Sequence, residues 1–261
     1  LNIKKALAFT DTHCPLQDND AIEWIKDEIS KRKPDKLLML GDLFEATFAS
    51  KFLSSHQHEL LDEYETAGKM LADIRKVAKK SNKNCEFYFL LGNHDTHLLN
   101  PERVDSRILE MLDFRNPNIF PEITNWKMPI KDYTYDPKVG CFALSNQVIF
   151  THGFESNEEM QAIRLNQNRP FSLLVAGHLH RGKNVTQAMR TKDLSLPYWY
   201  CNAGCMKRFD KDIWAARNKS VMDWSHSYAY IEYQETKSPR NYRTWDAEVV
   251  TLRTRQEYYS G

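Results

Sequence analysis

No two cysteines of this chain form a CxxC pair, and the five present, Cys14, Cys85, Cys141, Cys201 and Cys205, are odd in number and irregularly spaced. That pattern supports neither a zinc knuckle nor a disulfide framework, and free thiols suit a reducing compartment. Long apolar runs are also missing. The first short one, Ala6 to Phe9, is broken at once by Asp11 and His13, too soon for a signal h-region, and no stretch reaches the length that spans a bilayer. The expected location is the cytoplasm, with no membrane partner. Nor does one sign of charge dominate. Thirty-six Lys and Arg face 35 Asp and Glu, a net of +1, so attraction to nucleic acid is not built into the total charge. The clusters Lys31-Arg32-Lys33, Lys79-Lys80 and Lys207-Arg208 read as solvated surface or helix ends. Internal repeats and low-complexity linkers are absent too.

What remains is a chain of 261 residues, 41% of them hydrophobic, enough to bury a core without structural metals or disulfides. Its first half alternates strand and helix signals. Ile3 to Phe9 reads as a buried strand. Asp20 with Glu23 resembles a capping box, followed by Ile22, Ile25 and Ile29 at helical spacing, with Pro34 as the stop. Lys36 to Leu40 is the next strand. A longer helix is expected from about residue 56 to 79, with Leu60, Leu61, Tyr64, Met70, Leu71, Ile74 and Val77 as its apolar positions. Glu86 to Leu91 is a third strand, and Asn100-Pro101 supplies an N-cap and N1 pair for another helix. The second half begins with loops and short strands over 114–141. It continues with a strand at Gln147–Phe150, a helix opened by Ser156 and Glu159, and a buried strand at Leu173–Ala176. Beyond about residue 195 the pattern is strand-like and aromatic, with candidates at Pro197–Cys201, Tyr228–Tyr233 and Ala247–Leu252. The expectation is one α/β domain over 1–261 with strand-rich additions in its second half.

Five strands end in polar motifs. Asp11-Thr12-His13 follows the first and Gly41-Asp42 the second. Gly92-Asn93-His94-Asp95 follows the third. Thr151-His152-Gly153 and Gly177-His178-Leu179-His180 follow the two strands of the second half. In open α/β sheets, sites form outside the carboxyl ends of strands. Imidazole, carboxylate and carboxamide oxygen without thiolate suit Mn, Fe or Zn better than a thiolate zinc site does. A shared carboxylate can bridge two ions about 3.5–4 Å apart. Gly-Asp alone says almost nothing, and Asp-x-His little more. Gly-Asn-His-Asp is specific: at equal residue frequencies it occurs at roughly one position in 160,000.

In this order and strand context the motifs resemble the calcineurin-like metallophosphoesterases over about residues 6–182. The resemblance implies a four-layer α/β fold, two mixed sheets between helices. It implies that Asp11, His13 and His180 hold one divalent ion, that Asn93, His152 and His178 hold a second, and that Asp42 bridges them. Manganese is the expected metal, with iron or zinc as alternatives. His94 matches the catalytic, non-ligand histidine, with Asp95 to orient it. The implied reaction is hydrolysis of a phosphate ester, in which a hydroxide shared by the ions attacks phosphorus and His94 protonates or stabilises the leaving oxygen.

Departures narrow the expectation. The second block reads Gly-Asp-Leu-Phe-Glu-Ala, without the Asp-Arg-Gly of protein Ser/Thr phosphatases, and the last block carries two histidines, as in nucleases and phosphodiesterases. A phosphodiester or nucleotide is therefore the expected substrate. The rivals are a DNA or RNA nuclease and a non-catalytic scaffold of the same fold. Cys14-Pro15 stands where a glycine is frequent. Glu45, Arg107, Arg164 and Arg181 are candidates to face substrate. His97 reads as a loop or helix-entry residue, His56 and His58 as surface, and His226 as structural. Trp199, Trp214, Trp224 and Trp245 read as core or contact residues rather than a base-stacking platform.

Overall fold

Apolar runs that alternate with amphipathic segments produce parallel pairing, and the computed structural model of the chain shows it. The structure describes residues 2–49, 59–130, 132–134, 136, 139–165, 169, 171–188, 197–211, 222–235 and 241–260. The strands are β1 (Ile3–Phe9), β2 (Lys36–Met39), β3 (Glu86–Phe89), β4 (Phe142–Ala143), β5 (Val148–Phe150), β6 (Leu173–Ala176), β7 (Gly182–Ala188), β8 (Tyr198–Ala203), β9 (Ser225–Gln234) and β10 (Trp245–Thr254). The helices are α1 (Asn19–Arg32), α2 (Leu60–Ser81), α3 (Asn93–His97), α4 (Ser106–Leu112), α5 (Glu158–Leu165) and α6 (Arg255–Ser260).

Two five-stranded sheets result, ordered β10-β9-β1-β2-β3 and β4-β5-β6-β8-β7. Both are mixed: β1, β2 and β3 run parallel, as do β5, β6 and β8, while β9 and β10 extend the first sheet antiparallel. The pleat sends alternate residues to opposite faces. Leu7, Phe9, Leu37, Met39, Phe87 and Phe89 meet Ile25 and Ile29 of α1 and Leu71 and Ile74 of α2. On the other face, Ala6, Ala8, Leu38 and Leu40 meet Val148, Phe150, Leu173 and Val175 of the second sheet. Ile149 and Leu174, on the far face of that sheet, pack on Ala162 and Ile163 of α5. The layers are thus helix, sheet, sheet, helix, as expected. Among the described residues no helix is long and apolar enough to cross a membrane.

Several boundaries differ from the sequence reading, each for a local reason. Asp18, not Asp20, caps α1, accepting from the Ala21 N–H at 3.0 Å. The start of α2 is described only from residue 59, so the expected beginning near 56, with His56 and His58, lies outside the described residues, as does Trp214. Leu61, expected on the buried face, is 74% exposed, and Ala67 and Ala78 are buried there. Asn100 and Pro101 close a turn, with the Val104 N–H on the Asn100 carbonyl, and α4 begins later, behind Asp105 as its cap. Asn157 rather than Ser156 caps α5, accepting from the Met160 N–H at 3.0 Å.

Glu63 in α2 is fully buried, and its carboxyl accepts the Ala46 N–H at 2.8 Å. Burial pushes its pKa from 4.5 up to about 7. Between those values the folded state keeps a proton that the unfolded chain has released, so stability falls as pH rises through that window and the loss is full above it. Glu63→Gln should make the protein more stable at pH 8 by roughly 2–3 kcal/mol. It should also reduce the drop in urea midpoint between pH 5 and pH 8. An equal drop in variant and wild type would refute the assignment.

Candidate metal centre

The carboxyl ends of β1, β2, β3, β5 and β6 lie along one edge of the sandwich, and each continues into one of the polar motifs. The turns there are sharp. Asp11, His13, Asp42, His178 and His180 all have φ between 48° and 71°, a left-handed conformation that side-chain-bearing residues rarely adopt and that costs about 1–3 kcal/mol each. Such strain collects at functional sites. Gly92 allows the β3 turn to press on the β2 turn: a Cβ there would stand 2.2 Å from Asp42 Oδ1 and 2.3 Å from its backbone nitrogen. Gly-Asn-His-Asp, expected as a loop, is instead the first turn of α3, with Gly92 as N-cap.

Two groups of donor atoms face one another. In the first, His180 Nε2 is 3.0 Å from Asp11 Oδ1 and 3.2 Å from His13 Nε2. In the second, Asn93 Oδ1 is 3.1 Å from His152 Nε2 and 2.9 Å from His178 Nδ1. Asp42 Oδ2 lies between the groups, 3.7 Å from His13 Nε2 and 3.3 Å from His152 Nε2. Donors bound to one ion by bonds of about 2.1 Å stand about 3.0–3.4 Å apart, so this spacing suits a cation within each group.

The second atom of most of these side chains is already engaged elsewhere. Asp11 Oδ2 accepts from Thr10 Oγ1 at 2.5 Å and from the His178 N–H at 2.9 Å, while its Oδ1 is buried without a hydrogen-bond donor. His152 Nδ1 donates to the Leu40 carbonyl at 2.9 Å. Asp42 Oδ1 accepts the His94 N–H at 2.8 Å. Such outer contacts fix which atom of each residue is left for a ligand.

Electrostatics point the same way. Burial opposes charge on Asp11, but His180, His152 and His13 hold its carboxyl well below the usual range. Asp42 is likewise held low, against burial, by His152, His94 and His13. Burial opposes a proton on His152, yet Asp42 and Asp11 raise it to about 9. Burial and the nearby His152 push His178 down to about 4, the neutral form a ligand needs. The protein's own counter-charge for two buried carboxylates is thus protons on imidazoles, where cations would serve equally.

The structure therefore brings Asp11, His13, Asp42, Asn93, His152, His178 and His180 together, with His94 beside them, its ring centre 4.6 Å from that of His13. It does not pair Asp95 with the His94 ring. The Asp95 carboxylate accepts the N–H groups of Asp42, Leu43, Phe44 and Gly92 at 2.9–3.2 Å, so it braces the β2 turn. The His94 Nδ1–H donates to the Glu45 carbonyl at 2.6 Å. Glu45, expected to face substrate, points inward: its carboxylate is 2.8 Å from His13 Nδ1 and 3.0 Å from Lys207 Nζ. Lys207, expected at the surface, is 3% exposed.

Other expectations divide. Arg107 pairs with Asp105 and Arg164 with Glu155, both arginines largely exposed. Arg181 reaches Glu158 at 3.5 Å and Asp223 at 3.4 Å. His97 adjoins His94, ring centres 5.5 Å apart. His226 is structural, stacked on Phe209 and bonded to the Lys207 carbonyl. Trp199 and Trp245 pack edge to face, and Trp224 lies against His180, 4.3 Å between centres. Burial pushes the Cys14 thiol up to about 12, and its Sγ lies against Met70 Sδ at 3.9 Å.

Among solved structures the chain is similar to a metallophosphoesterase from Sphaerobacter thermophilus, at 13% identity and TM-score 0.48 over 97% of this chain and 90% of that one. It is also similar to vacuolar protein sorting 29 from Cryptosporidium parvum, at 13% and 0.46 over 96% and 98%. A third is YfcE, a phosphoesterase from E. coli, at 17% and 0.38 over 88% and 91%. No curated protein matches. The sequence model of the calcineurin-like phosphoesterases matches residues 4–182, a span that holds both donor groups and the Asp42 between them, and the chain belongs to that family.

Proposed function

We propose that the protein is a dinuclear metal-dependent phosphoesterase that hydrolyses a phosphodiester or nucleotide. The observation that supports this reading is the position of Asp42 Oδ2, within 3.7 Å of His13 Nε2 and 3.3 Å of His152 Nε2, from which one oxygen would reach both sites. Asp11, His13 and His180 would hold one ion and Asn93, His152 and His178 the other, with manganese favoured by the mixed nitrogen and oxygen donors. When bound, such a pair lowers the pKa of water and neutralises phosphate oxygens. The chain's own part is to place the ester and manage the leaving group. His94, whose Nδ1–H is committed to the Glu45 carbonyl, leaves Nε2 as the ring atom that can hold a proton at the leaving oxygen. The paired histidines of the last motif and the absence of Asp-Arg-Gly favour a diester or nucleotide over a phosphoprotein. Five free thiols suit a reducing, cytoplasmic setting.

The test is a metal-supplemented screen of monoesters, cyclic nucleotides, single strands and duplexes. Manganese should stimulate hydrolysis of bis(p-nitrophenyl) phosphate, and chelation should abolish it. No turnover on any ester with Mn, Fe or Zn would replace the enzyme by a scaffold. Cleavage confined to polynucleotides, weakening steeply with salt, would make it a nuclease.

A further inference from the structure

The ends of five strands account for the motif residues, but a sixth strand end reaches the same place. After β8 the chain turns at Gly204, where φ is +72° and a Cβ would stand 2.5 Å from the Ser225 carbonyl oxygen. The segment beyond lies along the β1 turn: the Met206 N–H donates to the Asp11 carbonyl, the Asp18 N–H to the Met206 carbonyl, and the Arg208 N–H to the Leu16 carbonyl. This antiparallel run carries Lys207 inward from outside the span that the family model matches.

There it meets Glu45. The Glu45 side chain is 13% exposed, that of Lys207 4% and that of His13 2%. A buried carboxylate is costly unless paired, and Lys207 Nζ stands 3.0 Å from its Oε2. The same Oε2 faces His13 Nδ1 at 2.8 Å. A carboxylate charge beside Nδ1 favours the tautomer with its proton on that nitrogen, which leaves Nε2 as the lone-pair atom toward Asp11, Asp42 and His180. The backbone carbonyl of the same residue takes the Nδ1–H of His94 at 2.6 Å.

We propose that Glu45, held by Lys207, is a positioning residue of the centre, fixing His13 through its carboxylate and His94 through its carbonyl. The inference rests on the dinuclear reading above. Outer-sphere carboxylates of this kind typically change metal affinity about 10–100-fold when lost.

The test is calorimetric titration of Mn2+ into the metal-free full chain. Wild type should take up two ions. Glu45→Leu with Lys207→Met removes both charges together, and with them the carboxylate that faces His13 Nδ1. It should still unfold cooperatively, while one of the two binding steps weakens about 10–100-fold and the other stays nearly unchanged. Glu45→Gln with Lys207→Met keeps an acceptor for the His13 N–H and should recover most of that loss. A folded Leu/Met variant with both steps intact would overturn the proposal, and so would a Gln/Met variant no better than Leu/Met. Should the Leu/Met variant not fold, imidazole 15N spectra of wild type loaded with Zn2+ decide alone: His13 should carry its proton on Nδ1, and an unprotonated Nδ1 would refute the proposal. Wild type that binds fewer than two ions would instead bring down the dinuclear reading, and this proposal with it.

Discussion

Asp42→Ala should remove hydrolysis by at least about three orders of magnitude, equivalent to roughly 4 kcal/mol of transition-state stabilisation, and should reduce metal uptake from two ions to one or none. The expectation follows from how many contacts converge on one buried carboxylate. Its Oδ2 is the atom near both donor groups, and its Oδ1 accepts the His94 N–H at 2.8 Å. Truncation would therefore remove the proposed shared ligand and one of the bonds that tie α3 to the β2 turn. It also leaves the proton-rich His13 and His152 with less negative charge to face. Asp42→Asn separates these effects, because the amide oxygen can still accept from His94 while the charge is gone. Asn should keep the fold and lose at least about a hundredfold of activity, the scale of removing one preorganised charged group at such a site. Metal content by elemental analysis and turnover of bis(p-nitrophenyl) phosphate check both variants. Two ions retained, with activity within tenfold of wild type, would remove Asp42 from its shared position.

The site was more legible than the elements around it. Its residues fall in short motifs of unusual composition at the ends of buried parallel strands. Such strands read as contiguous apolar runs, which is why Leu173–Ala176 coincides with β6 and the run Ala6 to Phe9 marks the buried end of β1. β7 was missed because its sequence, Gly-Lys-Asn-Val-Thr-Gln-Ala, is polar: it is an edge strand with few buried positions, so it carries no apolar alternation. The caps of α1 and α5 stand one or two residues from the expected ones and that of α4 stands five away; in α1, Asp18, Asn19 and Asp20 are all competent caps, and tertiary contacts choose among them. Arg253, a long-range partner, grips both oxygens of Asp18 at 2.9 Å. Lys207 was illegible for the same reason. A Lys-Arg pair far along the chain looks like surface, and only the packing of the post-β8 segment on the β1 turn buries it. The strained φ values were hidden too, since Asp and His give no signal of a left-handed backbone in the way glycine does. For Asp95 the sequence pattern placed the residue at the centre, while its bonds to four backbone N–H groups show a bracing role that no motif encodes.

His94→Ala should leave both ions bound and cut turnover by about 10²–10⁴-fold, the range of a positioned general acid or base. Metal retention is expected because the contact from residue 94 to Asp42 is made by the backbone N–H, which alanine keeps, and alanine favours the short helix α3. The lost ring takes with it the bond to the Glu45 carbonyl, an edge contact with His13 and the contact with His97. The leaving group then tells how His94 acts. A nitrophenolate departs readily without a proton, whereas an alkoxide, such as a nucleoside ribose oxygen, does not. If His94 delivers a proton, the loss should be larger for an alkyl diester than for the nitrophenyl diester. If it acts as a fixed dipole on the phosphate, the two losses should match. Turnover within tenfold of wild type on both substrates would remove His94 from the chemistry. Loss of an ion in the variant would recast it as a ligand beside His13 and Glu45, whose donor atoms lie within 4.8 Å of one of its own, against the engagement of its Nδ1 by the Glu45 carbonyl.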